Sequence, residues 1–91
     1  MDNKPNQESL LKFPCDFHIK MIGKQSDVLV GEVLEIMRKH FPNTEEAHIH
    51  QRPSQKGRFL ALSIKLYVLD QSTLDALYLE LTKHPDMKWV L

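Results

Sequence analysis

Three groups of residues in this chain have the types and spacing to do chemistry. The first is Arg52 to Phe59 (RPSQKGRF), where two arginines, a lysine, a serine and a glycine fall within eight residues, as in a loop that grips phosphate. The second is the His48-x-His50 pair, two imidazoles on one face of a strand, which invites a metal ion. The third is Cys15, the single cysteine, a nucleophile if a histidine stands beside it. Each meets a physical obstacle. A phosphate cradle needs backbone N–H groups converging at a helix N-terminus, and the residues from Phe59 onward read as a strand. Zinc needs three or four ligands. The tempting third, His18, is separated from His50 by an intervening strand, about 10 Å away. Cys15 points inward by alternation and has no histidine on its face. His40 and His84 each follow a lysine in the last turn of a helix, where an imidazole complements the helix dipole. No catalytic set and no metal site emerge, and no cofactor is expected.

The elements that position these residues follow from hydrophobic periodicity. From Phe13 to Ile22, Cys15, Phe17, Ile19 and Met21 alternate with Asp16, His18 and Lys20, a strand with one buried side. Gly23 to Ser26 reads as a loop. From Asp27 to Phe41 the period becomes helical, with Val30, Val33, Leu34, Met37 and Phe41 on one stripe, Ser26 or Asp27 as N-cap and Pro42 as the stop. Gly31 inside that helix is expected to mark close packing on the sheet, since it costs about 1 kcal/mol against Ala. Glu46 to Arg52 makes a short strand with Ile49 inward. Phe59 to Leu69 makes the longest one, with Leu60, Leu62, Ile64, Leu66 and Val68 on one face. Ser72 to His84 is a second helix carrying Leu74, Leu77, Tyr78 and Leu81, with Ser72 and Asp75 at capping-box spacing and Pro85 at its end. Met87 to Leu91 closes the chain as a strand.

This βαββαβ order predicts an α+β, ferredoxin-like fold. A four-stranded antiparallel sheet in the order 4-1-3-2 carries both helices on one face and leaves the other face open. Arg52 to Phe59 then joins two antiparallel neighbours. Ser54, Gln55, Lys56 and Gly57 suit a four-residue hairpin connection that ends on a glycine of positive φ. The stretch turns the chain.

Length and composition bound the rest. Ninety-one residues make one domain, expected over residues 10–91 after a flexible lead-in over 1–9. A chain of this size buries only roughly 60–65% of the surface its unfolded form exposes, which leaves little room for a deep pocket. Twelve basic and twelve acidic side chains cancel, so no global field draws the chain to nucleic acid or to an anionic membrane. A lone cysteine cannot form an internal disulfide and points to a reducing compartment. No apolar h-region and no run approaching the roughly 20 residues of a membrane span is present. A soluble, cytoplasmic domain is expected.

Spread along the chain is a set of residues that resembles the YbeD-like family of small bacterial proteins. It comprises Leu10 to Pro14 (LLKFP), Phe17, Lys20, Gly23, the RPSQKG stretch, Ser63–Ile64 and Val90–Leu91. The resemblance implies a ferredoxin-like fold similar to ACT-type regulatory domains, with no established enzymatic activity and no catalytic residue to carry over.

The open face is the informative surface. Alternation places His18, Lys20, His48, His50, Arg52, Phe59, Ser63, Lys65, Tyr67 and Lys88 there, with Asp16 the nearest acid, while Glu32, Glu35, Asp75 and Glu80 ride on the helices. A polarised molecule results, and its basic face suits a partner of acidic character or a second copy of the same sheet. RNA fits poorly. In KGRFLA, Arg58 and Leu60 stand where an RNA-recognition motif needs stacking aromatics. The expected function is therefore non-catalytic binding of a protein, with Lys20, Arg52, Lys65 and Tyr67 making most of the contact and His18 and His50 making it pH-sensitive. The alternative is an ACT-like regulatory domain. It would hold an amino acid or similar metabolite at a dimer interface near the loop after the first strand, with Gly23, Gln25 and Ser26 as its residues.

Overall fold

The computed structural model describes residues 12–91. Along the chain run β1 (Cys15–Lys24), α1 (Leu29–His40), a single 3-10 turn (Glu46–His48), β2 (His50–Pro53), β3 (Phe59–Val68), α2 (Gln71–Lys83) and β4 (Met87–Val90). The sheet order is β2-β3-β1-β4 with every neighbour antiparallel, so the ferredoxin-like arrangement expected from periodicity is the fold observed. The lead-in expected over residues 1–9 lies outside the described residues.

The core forms where the apolar parities coincide. β1 and β3 pair over ten consecutive residues, which sets Ile19 opposite Ile64 and Met21 opposite Leu62. Leu60, Leu62, Ile64, Leu66 and Val68 are all buried against Leu29, Val33 and Met37 of α1 and Leu74, Leu77 and Leu81 of α2. Burying each such side chain is worth about 1.5–3 kcal/mol, so β3 alone anchors most of the domain. Tyr78 ties α2 to the end of the sheet. Its ring meets Phe17 edge-on at 6.4 Å and its hydroxyl donates to the Leu91 carbonyl at 2.8 Å.

Several boundaries differ from the periodic reading. β1 runs on through Gly23 and Lys24, which pair with Leu60 and Phe59 instead of forming a loop. Gly23 is required there by close approach: an added Cβ would lie 2.8 Å from Leu29 Cδ2 and 3.2 Å from the Asp86 carbonyl oxygen. α1 starts at Leu29 behind Val28, which has no side-chain cap, so neither Ser26 nor Asp27 caps it. Gly31 is exposed and an added Cβ would meet nothing within 4 Å, so close packing is not its reason and nothing in the structure explains it. At α2 the cap is Asp70, whose Oδ1 accepts from the Thr73 N–H at 2.8 Å. Asp75 instead accepts from Gln71 Nε2, so Ser72 and Asp75 do not form the expected box. Residues 46–48 form a 3-10 turn because the His48 ring folds back: its Nδ1 accepts from the Glu45 N–H at 3.1 Å, and the strand begins two residues later.

The two helices are also linked by charge. Glu80 of α2 receives His40 Nε2 at 2.5 Å and Lys39 Nζ at 3.1 Å, while His84 Nε2 reaches Glu32 of α1 at 2.6 Å. The His40 hydrogen bond, followed by that of Lys39, holds the Glu80 carboxyl below the usual carboxylate range. A depressed folded value means that this stabilisation is present at neutral pH and is lost as pH falls below about 4.3, the value of a free glutamate. Glu80→Gln should therefore lower the melting temperature at neutral pH, and its deficit against wild type should shrink on acidification through that range.

Two glycine substitutions separate the roles of Gly31 and Gly23. Chemical denaturation should show Gly31→Ala stabilising the protein by about 1 kcal/mol. Gly23→Ala should cost about 1–3 kcal/mol by overpacking.

Candidate functional site

The β1–β3 register arranges the outward side chains in rows across the open face. Phe59 lies opposite Lys24, Ala61 opposite Ile22, Ser63 opposite Lys20, Lys65 opposite His18 and Tyr67 opposite Asp16. β2 extends two of these rows, with Arg52 beside Ala61 and His50 beside Ser63. β4 extends one on the other side, with Trp89 beside Ile22. One row therefore reads Arg52–Ala61–Ile22–Trp89, and the next reads His50–Ser63–Lys20.

The predicted face residues His18, Lys20, His50, Arg52, Lys65 and Tyr67 are all exposed on this side of the sheet. They do not form one cluster. Successive rows are about 7 Å apart, so Tyr67 stands about 20 Å from the Ala61 row. The face has a basic middle, where His18, Lys20, His50 and Lys65 line one shallow groove. At the hairpin end it has an apolar basin of about 840 Å³. Ala61 and Ile22 floor the basin, Phe59, Pro53 and Trp89 wall it, and Arg52, Lys88 and Gln55 rim it. The depression exists because Ala61, the smallest side chain of its row, sits among long ones. Trp89 is 63% exposed and Phe59 41%.

Trp89 is the functional candidate that periodicity misses. A regular strand that turns Lys88 outward would turn Trp89 inward. Here Trp89 pairs with Ile22 and Met87 with Gly23, so Lys88 is the extra residue of a β-bulge. Both Lys88 and Trp89 then line the same basin. No residue type in MKWVL announces the bulge. Its cause lies in β1, where Lys24 N donates to the Asp86 carbonyl at 2.8 Å while Leu91 N donates to Lys20 O at 2.7 Å, spacings that leave one residue over.

The RPSQKGRF stretch turns the chain, as expected. Gly57 has φ of 72° and its N–H donates to the Ser54 carbonyl at 3.0 Å, while Ser54 Oγ accepts from the Phe59 N–H at 3.1 Å. No helix follows. The turn nonetheless contributes to the face, because Ser54 and Gln55 close the hairpin side of the basin.

Charge is segregated. Lys20, Lys24, Arg52, Lys65 and Lys88 are exposed on the open side, where Asp16 is the one acid among the strand residues. The ion pairs among the described residues, Lys39–Glu80, His40–Glu80 and His84–Glu32, all join the helices instead. The sheet edges are less inviting than the face. Ser54 N donates to Phe59 O, so the antiparallel pattern turns the amide groups of Arg52 and His50 toward β3 and those of Gln51 and Pro53 outward. Proline offers no N–H there, which blunts the β2 edge, and the bulge interrupts the β4 edge.

The alternative site is differently placed than the sequence suggests. Gly23 is a paired strand residue of ordinary φ, and the Gln25 N–H is already committed to the Arg58 carbonyl at 2.9 Å. Ser26 Oγ is buried without a hydrogen-bond partner, beside the uncapped start of α1. Among the described residues no three His, Cys, Asp or Glu side chains converge in a way that could hold a metal ion, and His48 already spends one ring nitrogen on Glu45. No helix among them is long and apolar enough to cross a membrane.

The fold and its uncovered sheet define a small ferredoxin-like domain, and relatives sharpen this. A family model described as "Protein of unknown function (DUF493)" matches residues 8–91, and the chain belongs to that family. The YbeD-like resemblance carried by LLKFP and RPSQKG is thereby established. The chain is similar to a UPF0250 protein of Neisseria gonorrhoeae, 38% identical over the full length of both chains. It is also 38% identical to a UPF0250 protein of a Janthinobacterium species over 92% of each. In shape it matches the solution structure of protein HP0495 from H. pylori, with a TM-score of 0.73 at 12% identity over 100% of this chain and 94% of that one, a likeness of fold.

Trp89 is the single tryptophan, so its fluorescence reports the basin directly. Positive potential at the rim should make anionic iodide a better collisional quencher than cationic caesium. The double variant Arg52→Glu/Lys88→Glu should reverse that order, and added inert salt should erase it.

Proposed function

We propose that this chain is a non-catalytic binding module of the cytoplasm that holds a protein partner against the open face of its sheet. One observation carries the reading: in a molecule of zero formal net charge, Lys20, Lys24, Arg52, Lys65 and Lys88 stand on the uncovered face, where Asp16 is the one acid among the strand residues. Such an arrangement favours one orientation of approach and speeds encounter with an acidic partner. Lys20 and Lys65 supply the central charge, Arg52 and Tyr67 flank it, and His18 and His50 line the same groove as the two lysines. A non-catalytic role is further supported by Cys15, which lies opposite Val68 with no histidine across from it.

The test compares wild type with Lys20→Glu/Lys65→Glu in affinity capture from cell extract, after circular dichroism has shown both to be folded. A protein held by wild type and lost by the variant supports the face. Equal capture by both removes it.

A second reading is favoured by the orphaned Ser26 hydroxyl: a metabolite such as an amino acid, held near Gly23, Gln25 and Ser26 where two copies meet. A ligand present at about 100 times its Kd would stabilise the fold by about 2.7 kcal/mol. A thermal-shift screen of amino acids should then find one whose effect disappears in Ser26→Ala; a screen with no concentration-dependent shift sinks this reading.

A further inference from the structure

We infer that the basin around Ala61 is an anchor site for a large apolar side chain presented by an acidic segment of the partner protein. The inference rests on the reading that the open face binds protein, and it names the chemistry of what is bound. The basin is the one part of that face where an aliphatic floor, an aromatic wall and cations coincide. Ala61 and Ile22 lie side by side on the central strands, and Trp89 rises on the β4 side. Arg52 and Lys88 come from opposite edges of the sheet, so a chain crossing the basin meets a cation before and after its anchor.

Size and polarity fit this occupant. About 840 Å³ of open space accommodates a Leu, Phe or Trp side chain together with the backbone that carries it. The apolar floor gives such a side chain a dry contact, and Trp and Arg are among the residue types that carry binding energy at protein interfaces. Acidic neighbours of the anchor would find Arg52 and Lys88 within reach and the Lys20 row about 7 Å away, inside one Debye length at physiological salt. A second copy of this sheet is a poor occupant, because it would set these cations against their own kind. Nucleic acid is also disfavoured. Zero net charge gives the chain no long-range pull on a polyanion, and Phe59 and Trp89 stand as walls on opposite sides of an aliphatic floor of Ile22 and Ala61, so they do not make one continuous stacking platform.

The experiment is selection from a random displayed-peptide library, with the full chain as bait and Ala61→Glu as counter-bait. Trp89→Ser serves as a second counter-bait in case Ala61→Glu does not fold. Selected peptides are then synthesised and titrated against wild type by Trp89 fluorescence. Enriched sequences should carry a large apolar residue flanked by Asp or Glu. Their binding should shift wild-type Trp89 emission to the blue and, read by isothermal titration calorimetry, should weaken about tenfold or more in either variant. It should also weaken when salt is raised. No enrichment over both counter-baits overturns the inference. So does enrichment of sequences that are basic or lack the apolar residue, or a single-stranded RNA 12-mer that competes the selected peptide off Trp89. The two readings fail separately. If Lys20→Glu/Lys65→Glu loses a partner from cell extract while Ala61→Glu retains it, the open face stands and the anchor falls.

Discussion

Ten consecutive cross-strand pairs between β1 and β3 fix where every outward side chain of the sheet sits. Side chains alternate with a period of two, so sliding this pairing by one residue would turn Ile19, Met21, Leu62 and Ile64 toward water and His18, Lys20 and Lys65 toward the helices. The cost of burying those charges would exceed anything the slipped sheet could recover. Register is therefore enforced by the core, and the face inherits its rows from that enforcement. The arrangement of Arg52, Ala61, Ile22 and Trp89 is a by-product of packing Leu60, Leu62 and Ile64 on the other side.

This dependence explains what was legible in the sequence. Strict alternation over Cys15 to Ile22 and Phe59 to Leu69 was enough to give strand existence, parity and the basic face, and the helical stripes gave the layer above. Boundaries were less legible because caps compete locally: Asp70 outbids Ser72 for the start of α2 through its hydrogen bonds to the Thr73 N–H, the Thr73 hydroxyl and the Ser72 hydroxyl. At the second strand the ring of His48 took a backbone donor that the strand would have used. The basin was not legible at all. It depends on Trp89, whose side is set by hydrogen bonds made from β1, and on Ala61, whose importance is its small size among larger neighbours.

The helical side and the sheet side divide the chain's charge in different ways. Across the helices, carboxylates meet His40, Lys39 and His84 in specific pairs that hold α1 against α2. Across the sheet, the cations stand in separate rows without carboxylates opposite them, Lys20 across from Ser63, Lys65 from His18 and Arg52 from Ala61. Such exposed, unpaired cations contribute little to folding.

The bulge in β4 carries a consequence for how this surface can change over time. Trp89 faces the basin because of how many residues separate it from Leu91, which is bonded to Lys20, not because of which residues they are. Exchanging one side chain for another in that segment alters the wall by degrees. Removing Lys88, the extra residue, would restore regular alternation with Trp89 still opposite Ile22, whereas removing Val90 would set the indole opposite Met21 and carry it through the sheet to the other side. The geometry is thus stored as a count. Substitutions can tune the wall of the basin, whereas losing the one residue between Trp89 and Leu91 erases it altogether.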